Sequence, residues 1–156
     1  VQRHHSVPIS NVRFEGAEDS MPAPGVLDAI ESANLIVIAP SNPLVSIAPV
    51  LAVPGIREAL VRRRKDVIAV SPIIAGAALK GPADRMLAEL GHDASVLGVA
   101  ALYNEFASTL VIDTADDSHK SAVESLGLNC IVTETIMSKP GVSKSLARTV
   151  LSGATT

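Results

Sequence analysis

Two rhythms of apolar and polar residues alternate along the chain. Short apolar runs fall at 35–39, Val67–Val70, 109–112 and 130–132. Between them, apolar residues recur every three or four positions, as on one face of a helix. The runs predict strands, with a shorter one at 12–14. The recurrences predict helices over Val26–Ser32, 56–64 (Ile56, Leu60 and Val61 on one face), a stretch begun by Pro82 (Ala83, Met86, Leu87, Leu90), 96–107, 118–126 and 141–151 (Val142, Leu146, Val150). Gly91 and Gly127 stand where helices end. Strands alternating with helices imply an α/β fold: a three-layer αβα, Rossmann-like, doubly wound and mostly parallel sheet with right-handed crossovers.

The most informative stretch follows the second strand. Residues 35–39 are five consecutive apolar positions, read as a strand covered on both faces. Pro40 stops it, Asn42 suits an N-cap, and Pro43 suits the first helical position. Ligands collect where parallel strands end in such turns, and exposed backbone N–H groups there favour an anion. Three turns belong to that edge: Ser41-Asn42-Pro43, Ser71-Pro72 with the loop that follows, and Asp113 with Thr114.

Composition narrows the field. The 156 residues suffice for one domain with a real core, and 47% apolar against 19% charged content marks a globular chain. Phe14, Tyr103 and Phe106 are its only aromatic residues, so the core is aliphatic and no stacking platform for nucleic acid is expected. The formal charge is −3, and Arg62-Arg63-Arg64-Lys65 is the only basic cluster, readable as a solvated helix end or as a phosphate or partner contact. Cys130 is the single cysteine; it reads as an inert core residue and fits a reducing cytoplasm. No apolar stretch is long enough to predict a membrane span, and no signal-peptide pattern opens the chain.

Each candidate site residue has a functional and a structural reading. Ser41, Asn42 and Ser46 could bind phosphate or ribose, or simply cap a helix. Lys80, in a loop with Gly76 and Gly81, could neutralise a phosphate or be an ordinary exposed lysine. That loop lacks the Walker spacing. Asp113, Asp116 and Asp117 could help hold Mg²⁺; otherwise Asp113 ends a strand and Asp116 or Asp117 caps the next helix. His4 and His5 have no partners at zinc-like spacing, and His92 and His119 fall in surface turns. No hydrolase, zinc or redox motif is present.

Residues 38–60, IAPSNPLVSIAPVLAVPGIREAL, closely resemble the core signature of the 2-phospho-L-lactate transferase family of coenzyme F-420 biosynthesis. VSPIIAGAALKGPADRMLAELG (70–91), VTETIM (132–137) and the helix start PGVLDAI (24–30) resemble it in order and spacing. Ala77 departs from it, standing where a basic residue is expected, which leaves Lys80 as the only charge in the loop. Members are about twice as long; the resemblance makes this chain the C-terminal part of a single α/β domain, with residues 1–11 extended or loosely attached and the Gly-rich N-terminal half absent. It implies a donor made of guanosine diphosphate joined to lactate or phosphoenolpyruvate, the deazaflavin Fo as acceptor, Mg²⁺, and a homodimer. It also raises Ser41, Asn42, Pro43, Ser46, Ser71, Gly76, Lys80 and Gly81 as lining the donor site, with Asp113 as a weak metal candidate. The fragment alone is expected to be inactive.

Two rival readings stand beside it. A sister family of nucleotide-sugar-binding regulatory proteins, gluconeogenesis-factor-like, resembles the chain at Val45-Ser46-Ile47 and Val53-Pro54-Gly55-Ile56, but it carries a Gly-Pro-Gly-Ser-like turn where this chain has Pro40-Ser41-Asn42-Pro43. The blander reading is an assembly fragment that dimerises through its C-terminal helix.

Overall fold

The structure, a computed structural model, describes residues 8–79 and 81–153. Helix α1 spans Val26–Ser32 and strand β1 Ile36–Ile38. A π-helical turn at Pro43–Ile47 runs into α2 (Ala48–Leu51), and α3 is Ile56–Arg62. Strand β2 (Val67–Val70) leads to a small hairpin of β3 (Ile73–Ile74) and β4 (Ala77–Ala78). Helices α4 (Ala83–Glu89) and α5 (Val96–Tyr103) precede β5 (Thr109–Asp113). A 3-10 turn at Thr114–His119 opens α6 (Lys120–Ser125); β6 (Asn129–Thr133) and α7 (Val142–Gly153) close the chain.

Strands β1, β2, β5 and β6 form one sheet in that order, every pair parallel, as the apolar runs predict. Alternate residues feed opposite faces. Val67, Ala69, Leu110 and Ile112 join the core under α3, α4, α5 and α6. Ile68, Val70 and Val111 face the other way and meet Leu146 and Val150 of α7. The result is three layers, helix–sheet–helix.

Several expectations are corrected. Residues 12–14 form no strand, because Val12 and Phe14 alone give too little apolar surface to hold one. Instead the neighbouring Ile9 N–H donates to Glu89 Oε2 of α4 at 2.8 Å. Strand β1 is not covered on both faces: it is the sheet's edge, and Val37 is 47% exposed. Ala59, not Val61, joins Ile56 and Leu60 in the core, since Val61 turns outward. The fifth helix stops at Tyr103, where the N–H groups of Phe106 and Ala107 turn back to the Tyr103 carbonyl. Asp113, not Asp116 or Asp117, caps the segment after β5, accepting from Ala115 N–H at 3.0 Å. The loop at 73–81 contains the β3–β4 hairpin.

The basic cluster divides: Arg62 and Lys65 are exposed, as the solvated reading expects, whereas Arg63 and Arg64 turn onto backbone carbonyls. The Arg63 guanidinium donates to the carbonyls of Ile30, Glu31 and Ala33 at the end of α1. Arg64 donates to the carbonyls of Asn104 and Gly127. These carbonyls have no helical partner of their own, and the two arginines satisfy them.

Candidate functional site

Strands β1, β2 and β6 end at one rim of the sheet, and the segments that follow them enclose a cleft of about 680 Å³. Its lining comes from the turn after β1 (Pro40, Ser41, Asn42, Val45, Ser46), the segment after β2 (Ser71, Pro72, Ile74, Leu79, Gly81, Pro82, Ala83) and the loop after β6 (Thr135, Ile136, Met137, Ser138).

Asn42 shapes the first wall. Its Oδ1 accepts from the N–H groups of Leu44 at 2.9 Å and Val45 at 3.3 Å, which is the predicted N-cap. Its Nδ2 donates to the Met86 sulfur at 3.5 Å, tying this turn to α4. The turn widens to π geometry: the N–H groups of Ser46 and Ile47 both reach the Asn42 carbonyl, and Ala48 N–H reaches that of Pro43. Pro49 has no N–H to return to Val45, so a regular α-turn would lose a bond there. Such π turns gather at functional sites.

Ser71 is buried, and its hydroxyl closes on its own turn, donating to the Ile73 carbonyl at 3.0 Å and accepting from Ile73 N–H at 3.1 Å. The hairpin that follows turns through Ala75 and Gly76, with φ of 50° and 75°. Ala75 is the one non-glycine residue at positive φ among the described residues. Its N–H is held by both carboxylate oxygens of buried Asp116, at 3.2 and 3.0 Å. His119 Nδ1 lies 3.9 Å from the same carboxylate and has no hydrogen-bond partner.

Asp113 holds the third wall. Its Oδ2 accepts from Thr135 N–H at 2.8 Å and Thr135 Oγ1 at 2.9 Å, while Oδ1 accepts from Ala115 N–H and Thr114 Oγ1. Burial pushes its carboxyl pKa up, but these hydrogen bonds outweigh burial and hold it below the usual carboxylate value. The carboxylate that could have met a metal is thus engaged within the chain. No group of three or more His, Cys, Asp or Glu side chains that could hold a metal comes together among the described residues.

Of the predicted site residues, Ser41, Asn42, Ser46, Ser71 and Gly81 share the cleft. Pro43 is buried behind the turn, Gly76 sits at the hairpin tip, and Lys80 lies outside the described residues, as do His4 and His5. The Thr135–Ser138 wall is marked in the sequence by the resemblance of VTETIM (132–137), but not as part of the site; its place at the cleft follows from the sheet order. The lining is hydroxyls, one amide and aliphatic surface; among its described residues none is acidic, basic or imidazole.

The family model described as 2-phospho-L-lactate transferase CofD matches residues 1–137. The chain belongs to this family. A phosphoenolpyruvate transferase of Kitasatospora aureofaciens is 41% identical over 97% of the chain, and a 2-phospho-L-lactate transferase of Methanothermobacter thermautotrophicus is also 41% identical over 97%. A phosphoenolpyruvate transferase of Streptomyces coelicolor is 38% identical over 97%. The chain spans about half the length of these 2-phospho-L-lactate transferase family relatives, covering 47%, 48% and 48% of them.

Proposed function

We propose that this chain supplies the donor-nucleotide cleft of a transferase of coenzyme F-420 biosynthesis. The donor is a lactyl or enolpyruvyl group esterified to the terminal phosphate of guanosine diphosphate, and the acceptor is the deazaflavin Fo. A ribityl hydroxyl oxygen of Fo bonds to the phosphorus bearing the lactyl or enolpyruvyl group. The bond from that phosphorus to GMP breaks, and GMP carries away the electron pair. The hydroxyl proton passes to a group other than the described lining residues.

The observation that carries this reading is the convergence of Ser41, Asn42 and Ser46 with Gly81 on one cleft at the carboxyl rim of a parallel sheet, in a chain of this family. Displacement at phosphorus needs positioning and charge stabilisation more than covalent help. In this reading the hydroxyls of Ser41 and Ser46, at the cleft, supply hydrogen bonds to the donor's phosphates. No group of three or more metal-ligating side chains comes together among the described residues, and in this reading Mg²⁺ accompanies the donor's diphosphate.

The test is calorimetric titration of GDP, with and without Mg²⁺, into this chain and Asn42→Asp. Aspartate keeps the cap acceptor but places a negative charge at the cleft. The expected result is binding by the wild type and at least a tenfold loss in the variant, whose thermal melt shows that it is still folded despite losing the Nδ2 contact with Met86. Equal affinity in both would remove the turn from the donor site. No binding by the folded wild-type chain would assign the affinity to the part of the relatives that this chain does not span.

A further inference from the structure

The β3–β4 hairpin is a slender wall. It consists of two residue pairs, Ile73 with Ala78 and Ile74 with Ala77, and its tip at 75–77 is exposed. A two-stranded hairpin of this size has little stability of its own. Its two-residue turn needs positive φ at both positions, which Gly76 adopts freely and Ala75 only at a cost. Within such a turn the N–H of Ala75 has no partner in the hairpin ladder. That N–H is the group Asp116 takes, across 41 residues of sequence.

The carboxylate that does this is 2% exposed, and both of its oxygens are aimed at a single N–H. Strand β5 lies between β2 and β6, so the segment after β5 stands between the hairpin and the loop after β6. Asp113, at the start of that segment, fixes Thr135 on one side. Asp116, three residues on, fixes Ala75 on the other. Ile74 of the hairpin, Leu79 directly after it, and Thr135 all line the cleft.

We propose that Asp116 is a positioning residue of the cleft: by holding Ala75 N–H it sets the place of the β3–β4 hairpin, and so of Ile74 and Leu79, against a bound nucleoside diphosphate. This inference rests on the donor-cleft reading. It touches no reacting atom, so Asp116 acts through the wall and not on the ligand. Asparagine retains a side-chain oxygen for the Ala75 N–H and is the conservative replacement; alanine removes the acceptor.

The experiment is amide hydrogen exchange on the wild-type chain, Asp116→Ala and Asp116→Asn, paired with GDP titration. The Ala75 amide of the wild type should exchange at least tenfold more slowly than in an unstructured chain, although its residue is exposed. In Asp116→Ala, amides of 73–79 should exchange at least tenfold faster while those of β5 do not change, and GDP should bind at least tenfold more weakly. Asp116→Asn should stay within threefold of the wild type in both readouts. An unprotected Ala75 amide in the wild type overturns the proposal without any variant, even if Asp116→Ala fails to fold. Equal acceleration in hairpin and β5, an Asn variant that behaves as the Ala variant, or a loosened hairpin with unchanged GDP affinity also overturns it. If the wild type binds no GDP, the donor-cleft reading fails, and the exchange arm still decides whether Asp116 holds the hairpin.

Discussion

Gly98 shows how a single residue is dictated by a neighbour far from the site. It lies inside α5, where glycine costs about 1 kcal/mol relative to alanine. A Cβ there would stand 1.8 Å from the Asp93 carbonyl oxygen and 2.8 Å from its carbon, both backbone atoms that cannot swing aside. Gly98→Ala is therefore expected to lower stability by about 1–3 kcal/mol despite the gain in helix propensity, as urea denaturation would read. Asp113 gives the residue scale its pH dependence. Its carboxyl is held below the usual value in the folded chain, so its stabilising contribution is present above the unfolded value, near 4, and is lost as pH falls through the lower folded value. Asp113→Asn should flatten the loss of stability below about pH 4, seen in melts across pH 2–6, and an unchanged acid limb would mean that other carboxylates govern it.

At the scale of elements, the end of α1 depends on one side chain from outside it. Arg63 spans three terminal carbonyls and also pairs with Asp66 at 3.0 Å through Nε. Lysine keeps the charge but cannot fork across three acceptors. Arg63→Lys should cost about 1–3 kcal/mol, while Lys65→Ala, at an exposed neighbour, should be near neutral; similar losses in both denaturation curves would show that only net charge matters. The same comparison shows what could be read from the sequence. The parallel strands, α1, the Asn42 cap and the α7 stripe of Val142, Leu146 and Val150 were legible because each is a local pattern of apolar spacing or cap chemistry. The hairpin was not, since strands of two residues, Ile-Ile and Ala-Ala, show no period. Arg63 and Asp116 were not either: their partners lie about 30 and 41 residues away, and neither an arginine run nor an aspartate pair announces whose backbone it will meet. In the site, the turn after β1 and Gly81, just before Pro82, were legible as helix starts, whereas VTETIM (132–137) stood out only by its resemblance, and its place at the cleft follows from β6 joining the sheet beside β5.

For the molecule as a whole, the two faces of the sheet are held unequally. Among the described residues, the face under α3 to α6 joins twenty buried residues, whereas the face under α7 joins five: Ile68, Val70, Val111, Leu146 and Val150. Leu146 and Val150 of the α7 stripe pack into that smaller core, whereas Leu151 of the same helix, 64% exposed, points away. A layer held by so few apolar side chains opens at a lower free energy than the sheet it covers. Amides within α7 should therefore exchange faster than those of Leu110 and Val111 in β5, whose side chains are fully buried. Leu146→Ala should reduce the protection of α7 by about 2–4 kcal/mol, the usual cost of emptying a buried leucine site. The effect should show first as undocking of α7, with the β1-β2-β5-β6 ladder still formed, because that ladder draws most of its burial from the opposite face. One common exchange rate for α7 and β5 in the wild type would instead make the three layers a single cooperative unit, and the loss at Leu146 would then appear as a shift of the whole unfolding transition.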